Sequence, residues 1–243
     1  MTGLAPPGEP SRLLARAQAL EPEVAERLAE IRGRIERAGG DPGAIRIIGV
    51  TKTFGPESAL AGLLAGLTEL GENYADELIR KAAVLAGVAP AQPAWHFIGA
   101  IQRNKIARLA GIVGCWQTVS RLVEAEAIAT RARDQQPSVF VEVNVAGDPN
   151  RPGCEPAAVP GLVASIAATG LIVSGLMAVG PFEGDRDTTS RAFAEVARLR
   201  AELRLGELSI GMSGDLEEAV RAGTTMVRIG TALFGPRDQR VPR

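Results

Sequence analysis

The stretch Ile45-Arg46-Ile47-Ile48-Gly49-Val50-Thr51-Lys52 is almost continuously apolar and runs on into Thr53-Phe54-Gly55-Pro56. Such a run suits a strand of a parallel sheet that is covered on both faces. The residues after it decide between two folds. A doubly wound open sheet that binds a dinucleotide carries a Gly-x-Gly-x-x-Gly turn after its first strand, and none stands here. Seven more short apolar runs lie downstream, at residues 67–73, 95–100, 115–120, 139–145, 173–179, 208–213 and 226–234. Amphipathic segments separate them. At 187–205, Phe193, Val196, Leu199 and Leu203 share one helical face; at 121–133, Leu122, Ala125, Ile128, Ala129 and Ala132 do. Asp215 followed by Glu218 reads as a capping box opening a short helix that ends before Gly223. Eight βα units in about 190 residues predict a single (β/α)8 TIM-type barrel.

Outward from that frame, Val24, Leu28, Ile31 and Ile35 recur at helical spacing between Pro22 and Gly39-Gly40, which predicts an extra N-terminal helix with Pro22 at its first position. Residues 1–10, rich in Pro and Gly, read as disordered. Residues 11–236 read as the barrel domain, and 237–243 as a flexible tail. The start carries neither a basic segment nor an apolar stretch, so no signal peptide is expected.

The composition excludes several function classes. Lys+Arg 27 against Asp+Glu 28 gives a net charge of −1, which argues against nucleic acid as a partner. No apolar run approaches the ~20 residues of a membrane span. Two cysteines, Cys115 and Cys154, are too few for a disulfide scaffold, and a reducing cytoplasm is the expected compartment. A single histidine, His96, leaves no Cys/His cluster for zinc, and no Gly-x-Ser-x-Gly elbow holds a triad serine.

In a (β/α)8 barrel the working residues lie at the carboxyl ends of the strands, with phosphate commonly bound after strands seven and eight. The seventh run ends in Gly211-Met212-Ser213-Gly214-Asp215 and enters a helix whose first N–H groups can hold a phosphate. The eighth contains Arg228-Ile229-Gly230-Thr231, where glycine permits close approach and threonine offers a hydroxyl and an N–H. Either stretch alone is also what a helix cap or a tight strand exit looks like; the two together favour a phosphate site. Of only three lysines, Lys81 and Lys105 fall in helical segments, whereas Lys52 ends the first strand on the face of Ile48 and Val50. Closure of the barrel brings strand one beside strand eight, and so brings Lys52 near the phosphate site. There it can pair with the phosphate, or form an imine with an aldehyde on a phosphorylated cofactor such as pyridoxal 5'-phosphate (PLP). A lysine that merely snorkels to the surface is the plain alternative. His96, between Trp95 and Phe97, reads most simply as a core residue, and Glu72 and Asn73 also suit the end of a strand.

Six motifs carry a likeness to a known family. Val50-Thr51-Lys52-Thr53, Gly71-Glu72-Asn73-Tyr74, Trp95-His96-Phe97-Ile98-Gly99, Gln102-Arg103-Asn104-Lys105, Gly211-Met212-Ser213 and Met226-Val227-Arg228-Ile229-Gly230-Thr231 occur in order over residues 45–237. Together they resemble the pyridoxal phosphate homeostasis protein family, close relatives of the alanine racemase N-terminal barrel. The resemblance implies a cytoplasmic protein that holds PLP as a lysine aldimine without established turnover, and that buffers and delivers it, with PLP-dependent apo-enzymes as partners. The expected state is a monomer. Lys52 matches the Schiff-base lysine; Ser213, Gly230 and Thr231 match phosphate-binding positions; Asn73 and Met212 match residues near the ring; Arg228 matches the position facing the pyridine nitrogen. Arg151-Pro152-Gly153 departs from a Lys-x-Gly turn, Thr51 stands where serine is frequent, and Gly214 stands where aspartate is common.

The alternative is a PLP-dependent racemase or decarboxylase on the same barrel. Alanine racemases add a β-rich domain whose tyrosine completes a two-base site, whereas the one tyrosine here is Tyr74. An arginine at the pyridine nitrogen donates only and so weakens the ring as an electron sink. Both points favour binding over catalysis, with no catalytic residue and no metal expected. A phosphate-sugar enzyme on the same barrel is a third possibility.

Overall fold

The computed structural model describes residues 9–132, 135–148, 150–181 and 185–236. Eight parallel strands close into a barrel in chain order: β1 (Arg46–Val50), β2 (Glu69–Glu72), β3 (Ala94–Phe97), β4 (Val113–Val119), β5 (Ser138–Val143), β6 (Ile172–Ala178), β7 (Glu207–Ser209) and β8 (Met226–Ile229). The seam joins β1 to β8, with Arg46 opposite Met226 and Ile48 opposite Arg228. Around the barrel lie α2 (Pro56–Leu64), α3 (Ala75–Leu85), α4 (Arg103–Leu109), α5 (Leu122–Arg131), α6 (Val159–Ala167), α7 (Arg186–Glu202), α8 (Leu216–Arg221) and α9 (Thr231–Phe234). No helix among the described residues is long and apolar enough to cross a membrane.

Alternation along the strands divides the core in two. On β5, Val139, Val141 and Val143 face outward into the layer between sheet and helices. Phe140 points inward, where it meets Ile48, Cys115, Met177 and Met226. The inward face of β1 thus leads from Ile48 toward Lys52, as the alternation predicts.

The N-terminal helix differs from its expected bounds. Helix α1 spans Glu9–Arg37 and includes Pro22 in its interior, so Glu9 and Pro10 are helical; residues 1–8 and 237–243 lie outside the described residues. Its buried stripe continues upstream of the proline, through Leu13, Ala17, Val24, Leu28, Ile31 and Ile35. Pro22 sits on the exposed face, as does Gln18, whose carbonyl loses its helical donor to the proline. Leu28 and Ile35 are fully buried, and truncating either to alanine costs about 2–5 kcal/mol. The helix packs chiefly on α2 and also touches α8 and α9.

The eighth run is split as well. It is extended only to Ile229; Gly230 adopts φ −111°, ψ −95°, and Thr231–Phe234 form α9. Phe234 then packs its ring 5.6 Å from that of Phe54, in the loop after β1.

Candidate functional site

A cavity of about 490 Å³ opens at the carboxyl ends of the strands. All seven residues singled out from the sequence line it: Lys52, Asn73, Met212, Ser213, Arg228, Gly230 and Thr231. Val50, Ile98, Met177 and Val179 supply apolar wall.

Lys52 is half-buried in the turn after β1, and Thr53 beyond it takes the left-handed conformation at φ 65°. Asn73 stands just past β2. Its Oδ1 is buried and has no hydrogen-bond partner among the described residues, an acceptor in want of a donor at the cavity wall. Gly99 holds this segment in place, because a Cβ there would lie 2.0 Å from the Asn73 carbonyl oxygen.

The polar end of the cavity is built from the exits of β7 and β8. Gly211 turns the chain at φ 98°, and Asp215 Oδ1 accepts the Met212 N–H at 2.5 Å. The expected capping box is therefore absent: Asp215 precedes α8 but spends its carboxylate on the loop, not on the helix's N–H groups. From outside, Arg34 of α1 donates to the Ser213 carbonyl at 3.0 Å and forms a two-pronged pair with Glu217 at 2.8 and 2.9 Å. Pairing raises the arginine's pKa and lowers that of the glutamate. Across from Ser213, Thr231 brings its hydroxyl and the first N–H of α9, which has no intrahelical acceptor, to the wall.

Arg228 is 5% exposed and satisfied by protein acceptors. Nη1 donates to Ser209 O at 2.7 Å and Ser209 Oγ at 2.8 Å, and Nη2 donates to Ala178 O at 2.9 Å. Burial pulls its pKa down to about 10, against the opposing fields of Asp215 and Glu142. Below it a polar chain crosses the barrel. Ser209 Oγ meets Gln117 Oε1 at 2.7 Å, Gln117 Nε2 meets His96 Nδ1 at 2.8 Å, and His96 Nε2 meets Glu69 Oε2 at 3.0 Å. Arg46 closes the far end on Glu69 at 3.3 Å. His96 is thus the middle of a network and does not line the cavity.

Sequence reading missed Glu142. It stands on β5, lines the cavity, and is 6% exposed; burial drives its carboxyl up to about 7, although Arg228 opposes the shift. A glutamate two residues after Phe140 on a buried strand must face inward, which is the signal that identifies it. Tyr74 is 49% exposed and lines a neighbouring groove with Lys105, outside this cavity.

The arrangement fits a ligand with an aldehyde or other amine-reactive group, an apolar body and an anionic end. An amine, an orphaned amide oxygen and a guanidinium stand along one cavity, and hydroxyls and backbone N–H groups gather at its polar end.

Comparison with known proteins agrees. Residues 25–238 match the family model described as alanine racemase, N-terminal domain. The pyridoxal phosphate homeostasis protein of Pseudomonas aeruginosa is 38% identical over 232 residues, 90% of this chain and 98% of that protein. That of Deinococcus radiodurans is 39% identical over 210 residues, 85% of this chain and 97% of its own. Among solved structures, PipY of Synechococcus elongatus with PLP bound superposes with a TM-score of 0.78 at 29% identity, over 87% of this chain and all of that one. By sequence, by fold and by a cavity in the same place on the barrel that its motifs predict, this chain belongs to the pyridoxal phosphate homeostasis proteins, a family built on the alanine racemase N-terminal barrel.

Proposed function

We propose that the protein binds PLP in this cavity and serves intracellular PLP homeostasis. The observation that carries the reading is the meeting of all seven sequence-derived residues on one cavity wall. In this reading Lys52 would hold the aldehyde end of PLP through its amine. Ser213, Gly230 and Thr231 would hold the phosphate, Asn73 and Met212 would lie beside the ring, and Arg228 would face the pyridine nitrogen. Bound PLP supplies an electrophilic aldehyde and a ring able to withdraw electrons; the donor-only guanidinium keeps that ring nitrogen unprotonated. The protein then works as a monomeric cytoplasmic carrier that presents PLP to apo-enzymes and has no turnover of its own.

The test is an absorption spectrum of the purified protein before and after borohydride reduction, with mass mapping of the modified residue. A reducible visible band, a tag on Lys52 and loss of both in Lys52→Ala are expected. A band that survives Lys52→Ala, or a tag on Lys81 or Lys105, overturns the assignment.

Glu142 favours a second reading, a racemase or decarboxylase. A carboxyl lifted to about 7 inside the cavity has the acidity of a general acid or base near neutrality. Incubation with single L-amino acids in deuterated water separates the two. Many turnovers of α-carbon exchange, lost in both Lys52→Ala and Glu142→Gln, establish the enzyme; background exchange supports the carrier.

A further inference from the structure

Behind the turn that carries Lys52 lies a second lysine. Lys81, on α3, is 4% exposed, and Glu72 at the end of β2 is fully buried. Lys81 Nζ donates to Glu72 Oε1 at 2.5 Å, to the Thr51 carbonyl at 2.6 Å and to Glu77 Oε2 at 3.3 Å. Glu72 Oε1 also accepts the Thr51 hydroxyl at 2.6 Å, and Glu77 Oε2 accepts the Thr53 N–H at 2.9 Å. Thus the carbonyl of the residue before Lys52 and the N–H of the residue after it both end on one cluster. Lys81, Glu72 and Glu77 do not line the cavity.

We propose that Lys81, with Glu72 and Glu77, is a positioning device for Lys52, fixing the direction in which its side chain leaves β1. The proposal rests on the assignment of Lys52 as the imine-forming residue. A β-branched residue at φ 65° is in a conformation that its own sterics disfavour, so outside contacts must hold it. The contacts that reach Thr51 and Thr53 are charge-assisted, those to Thr51 buried and that to Thr53 partly so, and they are stronger than ordinary turn hydrogen bonds. A buried ammonium also needs acceptors for its three protons, and Thr51 O, Glu72 and Glu77 supply three. A core ion pair required only for stability could be satisfied by its two carboxylates. Here the third acceptor is the backbone next to Lys52, and one of the carboxylates grips the backbone on its other side. The same cluster fixes Glu72, whose neighbour Asn73 reaches the cavity.

The experiment uses full-length protein with PLP itself as probe. Lys81→Met removes the ammonium; Glu77→Ala is the milder variant, freeing the Thr53 N–H while leaving the Lys81–Glu72 pair. For each, PLP affinity and the fraction of Lys52 trapped by borohydride at saturation are measured, alone and in the Lys52→Ala background. In the protein with Lys52 present we expect roughly tenfold weaker PLP binding for Lys81→Met and about threefold for Glu77→Ala, with the trapped fraction falling in step. In the Lys52→Ala background the same changes should alter residual PLP binding by less than about twofold, because the residue they position is gone. Equal losses in both backgrounds, or an unchanged trapped fraction in folded Glu77→Ala, overturn the proposal. Wild-type protein with no tag on Lys52 overturns this inference and the assignment of Lys52 together, whereas a wild-type tag with the other two results unchanged overturns this inference alone.

Discussion

Gln117 Nε2 lies 2.8 Å from Nδ1 of His96, and the same amide holds Ser209 through Oε1. An amide offers nitrogen to an acceptor and oxygen to a donor, so this orientation belongs to a neutral ring with its one proton on Nε2 toward Glu69. Burial opposes charge on His96, but Cys115 and Glu69 favour it, and the balance lifts the ring to about 9. A second proton on the ring would require Gln117 to turn its carbonyl toward Nδ1 and its nitrogen toward Ser209. Protonation of His96 is in this way coupled to the hydroxyl that accepts from Arg228.

The first prediction concerns that ring. It is the only histidine in the chain, so its NMR titration is unambiguous. The midpoint should fall near 9, well above the ordinary 6.5. Because the folded value is raised, the stability it contributes is complete below about pH 6.5 and is lost as pH rises through about 9; its full size is on the order of 3 kcal/mol. A midpoint at or below 6.5 would show a ring that stays neutral throughout.

Glu142 gives the opposite kind of test. Its carboxyl is raised to about 7, so it favours the folded state below the ordinary carboxylate range and loses that contribution as pH climbs through about 7. Glu142→Gln should leave stability nearly unchanged at pH 5 and raise it by about 2–3 kcal/mol at pH 8, read by chemical unfolding at both values. An equal effect at both pH values would mean that Glu142 is ionised throughout.

Recognition of phosphate can be separated from shape. Ser213→Ala combined with Thr231→Ala removes two hydroxyls, each worth about 1.5–3 kcal/mol if bonded to an anionic oxygen. PLP affinity should fall by roughly a hundredfold or more, while pyridoxal, which lacks the phosphate, binds nearly as before. Parallel losses for the two ligands would assign these residues to the shape of the cavity.

Arg34 extends the same test to a residue outside the cavity. It grips the Ser213 carbonyl and Glu217 from α1. Arg34→Met should cost about 1 kcal/mol of stability, since the pair is partly exposed, and should weaken PLP by a factor of about three without touching pyridoxal. Titration of both ligands by absorbance or calorimetry decides it.

The barrel was legible because each buried strand writes its own apolar run; Lys52, Ser213, Gly230 and Thr231 were legible because they sit at strand ends, whereas Asn73, Met212 and Arg228 were marked only by the family resemblance. Other features depend on tertiary context. Pro22 reads as a helix start unless one sees that Leu13 and Ala17 extend the buried stripe past it. Thr231-Ala232-Leu233-Phe234 is as apolar as a strand, and only the backbone at Gly230 turns it into α9. The Lys81 cluster joins residues 9 and 30 positions apart, from a strand end, a turn and a helix that meet only after folding. No local pattern marks it. Glu142 was readable from strand alternation alone.

The seam between β1 and β8 sets the order of events at the ribosome. Helix α1 is made first, yet α8 and α9, which it touches, are made near the end, so part of its apolar stripe waits uncovered during synthesis. The amine at Lys52 emerges early and the groups at Ser213, Gly230 and Thr231 emerge late. A nascent or truncated chain without the last two strands has the lysine but lacks the polar end of the cavity. Ligand binding and ring closure therefore share one final step, and any ligand held by both halves of the site selects only chains that have finished folding.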